Sequence, residues 1–181
     1  MKKGSLLWLL ILLVVVLSGC SFAFKESDQF HLDLLPDLVL TNTTYKIKSS
    51  DEEPITIEAQ TIEIYKNANK AFITKATFIQ KDIDGTLIMS GSFNEGEIET
   101  TTNNLRLRKD VTIKNHKENF SLHGDNFDWH SDDKKVFSEK ESLVTLINKE
   151  HDILKGRGFV GNFATSEFEF ATMEEGILYY D

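Results

Sequence analysis

The sequence predicts an all-β domain, a meander of stacked antiparallel strands with a repeated hairpin unit. Three similar segments point to it: residues 77–91 (TFIQKDIDGTLIMSG), 110–124 (DVTIKNHKENFSLHG) and 142–156 (SLVTLINKEHDILKG), whose closing glycines stand 33 and 32 residues apart. Each is a β-branched and apolar stretch, a polar turn, and a second short stretch ended by glycine, the pattern of a hairpin. A hairpin that cannot bury its apolar face alone must stack on its neighbours, so the repeat defines the architecture. Composition agrees, since Val, Ile, Thr and Phe are abundant and there are only two prolines.

Lys2 and Lys3 precede an unbroken apolar run of twelve residues, 6–17, and Leu17-Ser18-Gly19-Cys20 places small residues before the only cysteine. The run is shorter than the roughly 20 residues a membrane span needs. The motif resembles a bacterial lipobox, in which the thiol of Cys20 takes a diacylglycerol and residues 1–19 are removed as a signal peptide. The alternative is a signal anchor with an unmodified cysteine. The abrupt stop of the apolar run at Cys20, with charges following at once, favours the lipobox. Residues 20–35 then form a lipidated N-terminus and tether without strong periodicity, and 36–181 the β domain.

Pro36-Asp37 opens a first strand over 38–48, and 49–54 (SSDEEP) is a turn. The strand over 55–64 changes phase near Ala59-Gln60, which predicts a bulge. Asn67-Ala68-Asn69 turns the chain into a strand over 71–80, and Asp84-Gly85 is a hairpin signal because a tight turn needs residues that accept positive φ. The clearest strand is 101–113: Leu105, Leu107, Val111 and Ile113 share one parity, Arg106, Arg108, Asp110 and Thr112 the other, as expected of a sheet with one wet face. Strands over 120–129, 135–138, 143–147, 153–163 and 168–170 continue the meander. For 173–181 the pattern leaves open an edge strand through residues 177–180 or a loose tail.

The formal net charge is −9, and −11 once Lys2 and Lys3 are removed. An acidic chain whose few basic residues alternate with apolar ones is a poor match for nucleic acid. With one cysteine there is no internal disulfide and no thiolate zinc site. His116, His123 and His130 are spaced by seven, which switches faces in a strand, so turn histidines are expected in place of a metal site. Glu95, Glu97 and Glu99 share a strand face and read as a wet surface. Asp82-Ile83-Asp84-Gly85 lacks the spacing and distal glutamate of a calcium loop. With no G-x-S-x-G, P-loop or H-E-x-x-H, nothing proposes a nucleophile or a cofactor, and the chain is read as a non-enzyme.

Taken in order, Pro36-Asp37, Ile57-Glu58-Ala59, Ile62-Glu63-Ile64-Tyr65, Ser90-Gly91, residues 105–113 (LRLRKDVTI), 122–129 (LHGDNFDW), Val136-Phe137-Ser138, Leu143-Val144-Thr145 and 154–159 (LKGRGF) resemble the LptC family over residues 35–170. The resemblance implies an antiparallel β-jelly roll, an open β-sandwich shaped like a twisted V. It implies a membrane-anchored periplasmic component of lipopolysaccharide export, which takes the glycolipid from an inner-membrane ABC transporter through its permease subunits and passes it to an LptA-like bridge protein. Many members carry a transmembrane helix where this chain has a lipobox, so the anchor is expected to be a lipid. Ser21 stands where some bacteria place a retaining aspartate. The inner membrane is favoured, with the outer membrane open.

An acyl chain suits such a fold, since a six-residue strand is about 20 Å long, and each methylene removed from water contributes about 0.8 kcal/mol. Binding of an anionic glycolipid to an acidic protein would then be apolar, with sugar and phosphate left toward solvent. Parity predicts a groove lined by Phe72, Phe78, Leu87, Met89, Leu105, Leu107, Val111, Ile113, Phe127, Leu146 and Phe159, with Ala76, Trp129 and Phe163 on the same faces. For each residue the plain alternative is a core position that never meets lipid, and the 13 phenylalanines tilt the set toward lipid. The competing function is a structural or adhesive surface lipoprotein with a closed β core.

Overall fold

The computed structural model describes residues 35–48, 54–163 and 165–179. They form ten strands and, among the described residues, no helix: β1 (Leu38–Ile47), β2 (Ile55–Tyr65), β3 (Lys70–Lys81), β4 (Leu87–Glu99), β5 (Asn104–Asn115), β6 (Phe120–His130), β7 (Lys135–Ser138), β8 (Leu143–Ile147), β9 (Ile153–Asn162) and β10 (Glu167–Ile177). All belong to one antiparallel sheet in the order β1-β2-β3-β4-β5-β6-β7-β9-β10. The short strands β7 and β8 occupy one lane, each pairing with both β6 and β9. This is the expected jelly-roll or sandwich-like meander. The strand expected over 168–170 is longer, and the segment left open after it is in part an edge strand: β10 runs on to Ile177, paired with β9 through a bulge at Met173/Glu175. The expected turn over 49–54 lies largely outside the described residues, as do Cys20 and the signal.

The turns form for the reasons their residues suggest. Asn69 (φ 53) closes β2 onto β3, its N–H donating to the Lys66 carbonyl at 3.1 Å. Between β3 and β4, the Gly85 N–H (φ 87) donates to the Asp82 carbonyl at 2.9 Å. The Asp84 carboxylate accepts the Thr86 N–H at 2.8 Å, which holds its carboxyl below the usual carboxylate range. The Asn115 side-chain oxygen accepts the Glu118 N–H at 2.9 Å and steadies the β5–β6 turn. The three repeats are the hairpins β3–β4, β5–β6 and β8–β9, so their turns lie at one end of the sheet.

Burial does not follow a period of two along whole strands. In β2, Ile57 and Ala59 are buried and then Ile62; in β3, Ala71 and Ile73 and then Ala76 and Phe78; in β6, Phe120 and Leu122 and then Phe127. Strict alternation would turn the second set to the opposite face. In β1, β3 and β9 a mid-strand residue in the left-handed region breaks it, Asn42 (φ 46), Lys75 (φ 48) and Gly158 (φ 62), while β2 and β6 change phase opposite these interruptions in their neighbours. In β5 two such residues, Lys109 (φ 63) and Asp110 (φ 53), cancel, so Leu107 and Val111 stay in phase. The sheet is thereby creased into two leaves whose inner faces build a single core from Ile47 to Phe159. The phase change expected near Ala59-Gln60 is one position on this crease.

Candidate functional site

The inner faces of both leaves meet at a cavity of about 40 Å³ whose exposed wall is wholly apolar. The leaf carrying the repeat hairpins contributes Ile55, Ile57, Phe78, Met89, Phe93 and Ile113; the other contributes Ile73, Ile98, Leu105, Leu107, Phe127, Trp129, Val136 and Phe163. Leu107 and Phe127 are 5 % and 1 % exposed. Ile55, Met89, Leu105, Trp129 and Phe163, nearer the strand ends, are half-buried. The wall thus grades from fully packed residues to accessible ones. Rings seal the β9–β10 side: Phe120 meets Phe168 and Phe163 edge-on at centroid distances of 4.6 and 5.3 Å, Trp129 meets Phe163 at 5.7 Å, and Phe159 meets Phe170 at 5.2 Å. A cavity of 40 Å³ is about a quarter of the roughly 150 Å³ of an engineered cavity that binds benzene. The cavity as it stands is too small for an acyl chain.

Of the residues expected to line a groove, six stand at the cavity wall: Phe78, Met89, Leu105, Leu107, Ile113 and Phe127. Val111, Leu146 and Phe159 are buried core positions off it, and Leu87 is half-buried at the start of β4. Phe72 is a correction. It is 39 % exposed and sits edge-on against Tyr65 at 5.5 Å, on the face opposite Phe78 and Ala76, because Lys75 inverts the alternation between them. The parity argument also missed Ile55, Ile57, Ile73, Phe93, Ile98 and Val136. The signal that finds them is the phase change within each strand.

The outer face is polar and paired. Glu95 meets Lys109 at 2.5 Å and Glu97 meets Lys70 at 2.6 Å and Arg106 at 3.5 Å as ion pairs, and Glu99 accepts from the Thr102 hydroxyl at 2.8 Å, so these carboxylates have polar partners on a wet face. Arg108 is held by the Leu107 and Phe127 carbonyls and by Asp128 at 2.8 Å. His116 Nε2 lies 2.8 Å from Ser90 Oγ, His123 lies between Thr112 and Ser121, and His130 packs on Phe137 at 4.8 Å. The three imidazoles do not converge, and among the described residues no cluster of three His, Cys, Asp or Glu side chains is placed to hold a metal.

The sheet has two edges, β1 and β10, each paired on one side only among the described residues. β1 begins with exposed Leu38 (44 %) and Val39 (48 %). In β10 and just beyond it, Met173, Ile177, Leu178 and Tyr179 are exposed. Glu174 and Glu175 there are ion-paired back to Arg157 and Lys155 on β9. Unpaired strand edges with apolar side chains are surfaces to which another strand can add.

A family model described as "Lipopolysaccharide-assembly, LptC-related" matches residues 8–173 of the chain. No curated protein matches it.

Proposed function

Because the chain belongs to the LptC-related family of lipopolysaccharide-assembly proteins, we propose that it is a non-catalytic carrier that holds lipopolysaccharide, or a related glycolipid, by its acyl chains between the two leaves. On this reading it relays the lipid from an inner-membrane ABC transporter to an LptA-like protein. The observation that carries the reading is the wholly apolar cavity walled by both leaves and grading into half-buried Met89, Leu105 and Trp129. The acidic surface favours acyl chains over the anionic head group as the part that enters. Residues 1–19 act as a lipoprotein signal, Cys20 carries the lipid anchor at the periplasmic side of the membrane, residues 20–35 form the tether, and 36–181 carry the lipid. The β1 and β10 edges dock the transporter and the bridge partner by strand addition. The transporter supplies the energy.

The test is a photo-reactive amino acid at Leu107 or Leu105 in cells that make lipopolysaccharide. Lipopolysaccharide crosslinked from these inner positions, and not from exposed Thr101, is the expected result. Equal labelling at Thr101 would contradict it. The small closed cavity favours a second reading, a structural surface lipoprotein with a packed β core, which would give no lipid adduct at any inner position.

A further inference from the structure

Along the crease the strand ladders are interrupted in one continuous line. Between β1 and β2 the pairing steps from Thr41↔Thr61 to Thr43↔Ala59, omitting Asn42 and Gln60. Between β2 and β3 it omits Gln60 and Lys75, and between β3 and β4 Lys75 and Asn94. The β4–β5 and β5–β6 ladders shift register across Ser92/Glu95 and Arg108/Val111. In the next lane the chain itself breaks, β7 ending at Ser138 and β8 starting at Leu143. Between β9 and β10 the pairing omits Gly158 and Ala171. The line therefore crosses the sheet from one edge to the other.

We infer that this crease is a hinge, and that the two leaves swing apart about it to admit an acyl chain. At this line the backbone of nearly every lane already departs from the regular ladder, so a change of φ/ψ there leaves the regular pairing on either side in place. The left-handed backbone of Asn42, Lys75, Lys109 and Asp110 is a conformation non-glycine residues adopt at a cost, and such residues cluster at ligand clamps and switch regions. Hinges of this sort concentrate the φ/ψ change in a few residues while the bodies on either side stay rigid. Each leaf keeps its own ladders. Apolar contact across the cavity holds the leaves together, and an acyl chain replaces such contact in kind. The motion resolves the mismatch between a 40 Å³ cavity and an acyl-chain cargo, and in that respect the inference rests on the carrier reading above.

The test places spin-labelled non-natural residues in the full chain, leaving Cys20 untouched. Ile83 and Thr101, at the β3–β4 and β4–β5 turns, report across the hinge; Ile83 and Lys117, at the β3–β4 and β5–β6 turns, report within one leaf. Lipid A is the probe, and in a Trp8→Phe background quenching of Trp129 fluorescence by lipid A with brominated acyl chains reports its entry separately. The expected result is a broad distance distribution for the cross-leaf pair alone, shifting to longer distance as lipid A quenches Trp129. Distributions equally narrow for both pairs, with or without lipid A, would overturn the hinge whether or not the lipid binds. A broad cross-leaf distribution without any quenching would uphold the hinge and count against the carrier.

Discussion

The repeat glycines make a graded test of how the leaves are built. A Cβ added at Gly91 would stand 2.1 Å from the Thr112 carbonyl oxygen and 2.5 Å from the Phe78 ring; at Gly156 it would stand 2.5 Å from the Thr172 carbonyl and 2.6 Å from the Phe170 ring. At Gly124 the nearest atoms are 3.1 Å away, and at Gly85 nothing lies within 4 Å. Relief at Gly91 needs a shift of more than 1 Å by a carbonyl of the neighbouring strand together with a buried ring. Overpacking costs about 1–3 kcal/mol and occasionally more, and Gly91→Ala belongs at the upper end. In a domain of about 150 residues each kcal/mol moves Tm by about 2–4 °C. Gly91→Ala is thus expected to lower Tm by about 6–12 °C, with Gly156→Ala close behind. Gly124→Ala needs its neighbours to give only a few tenths of an ångström, and it gains about 0.4–1 kcal/mol from a less flexible unfolded chain, so it should lie near wild type. Urea and thermal unfolding followed by circular dichroism measure the series. The reasoning fails if Gly91→Ala melts with wild type, or if Gly124→Ala is the more damaged of the two.

Phe127→Ala, at a residue 1 % exposed beside the ring of Phe159, should cost about 3–5 kcal/mol in urea unfolding, as ring removal from a core does. Lys70→Ala, which breaks a surface pair with Glu97, should cost less than about 1 kcal/mol and lose even that in high salt. The Asp84 carboxyl is held low by the Thr86 N–H, so the stability it adds is present at neutral pH and disappears as pH falls through its folded value. The Asp84→Ala deficit should shrink toward acid pH, and a deficit independent of pH would argue against that bond. Val39→Asp, on the exposed edge of β1, should leave Tm unchanged and weaken pull-down of the transporter's periplasmic domain. Undiminished capture would remove β1 as a docking edge.

Much of the fold was legible in the sequence because hairpin chemistry is local. Asp84-Gly85, the repeat glycines and the leucine–arginine alternation of 105–108 each announce a strand or turn within a few residues, and β7 and β8 fall where their apolar runs do. The crease was read from the sequence at one position, the phase change at Ala59-Gln60. In β3 the left-handed residue is Lys75, a type that does not advertise positive φ, and so Phe72 was assigned to the wrong face. The same phase change recurs in β3 between Ile73 and Ala76 and in β6 between Leu122 and Phe127, and tracing it strand by strand would have located the line. The length of β10 was missed because its second half, Thr172-Met173-Glu174-Glu175, carries a bulge and lies exposed at an edge, where burial leaves no periodic signal.

Native mass spectrometry of the full chain purified from a lipopolysaccharide-producing host tests the carrier reading most directly. One glycolipid bound per chain, lost in Leu107→Asp while that variant still shows the β-sheet signal of the wild type, is the predicted result. A chain that arrives bare and stays bare when purified lipopolysaccharide is added would contradict it and leave the packed, structural lipoprotein.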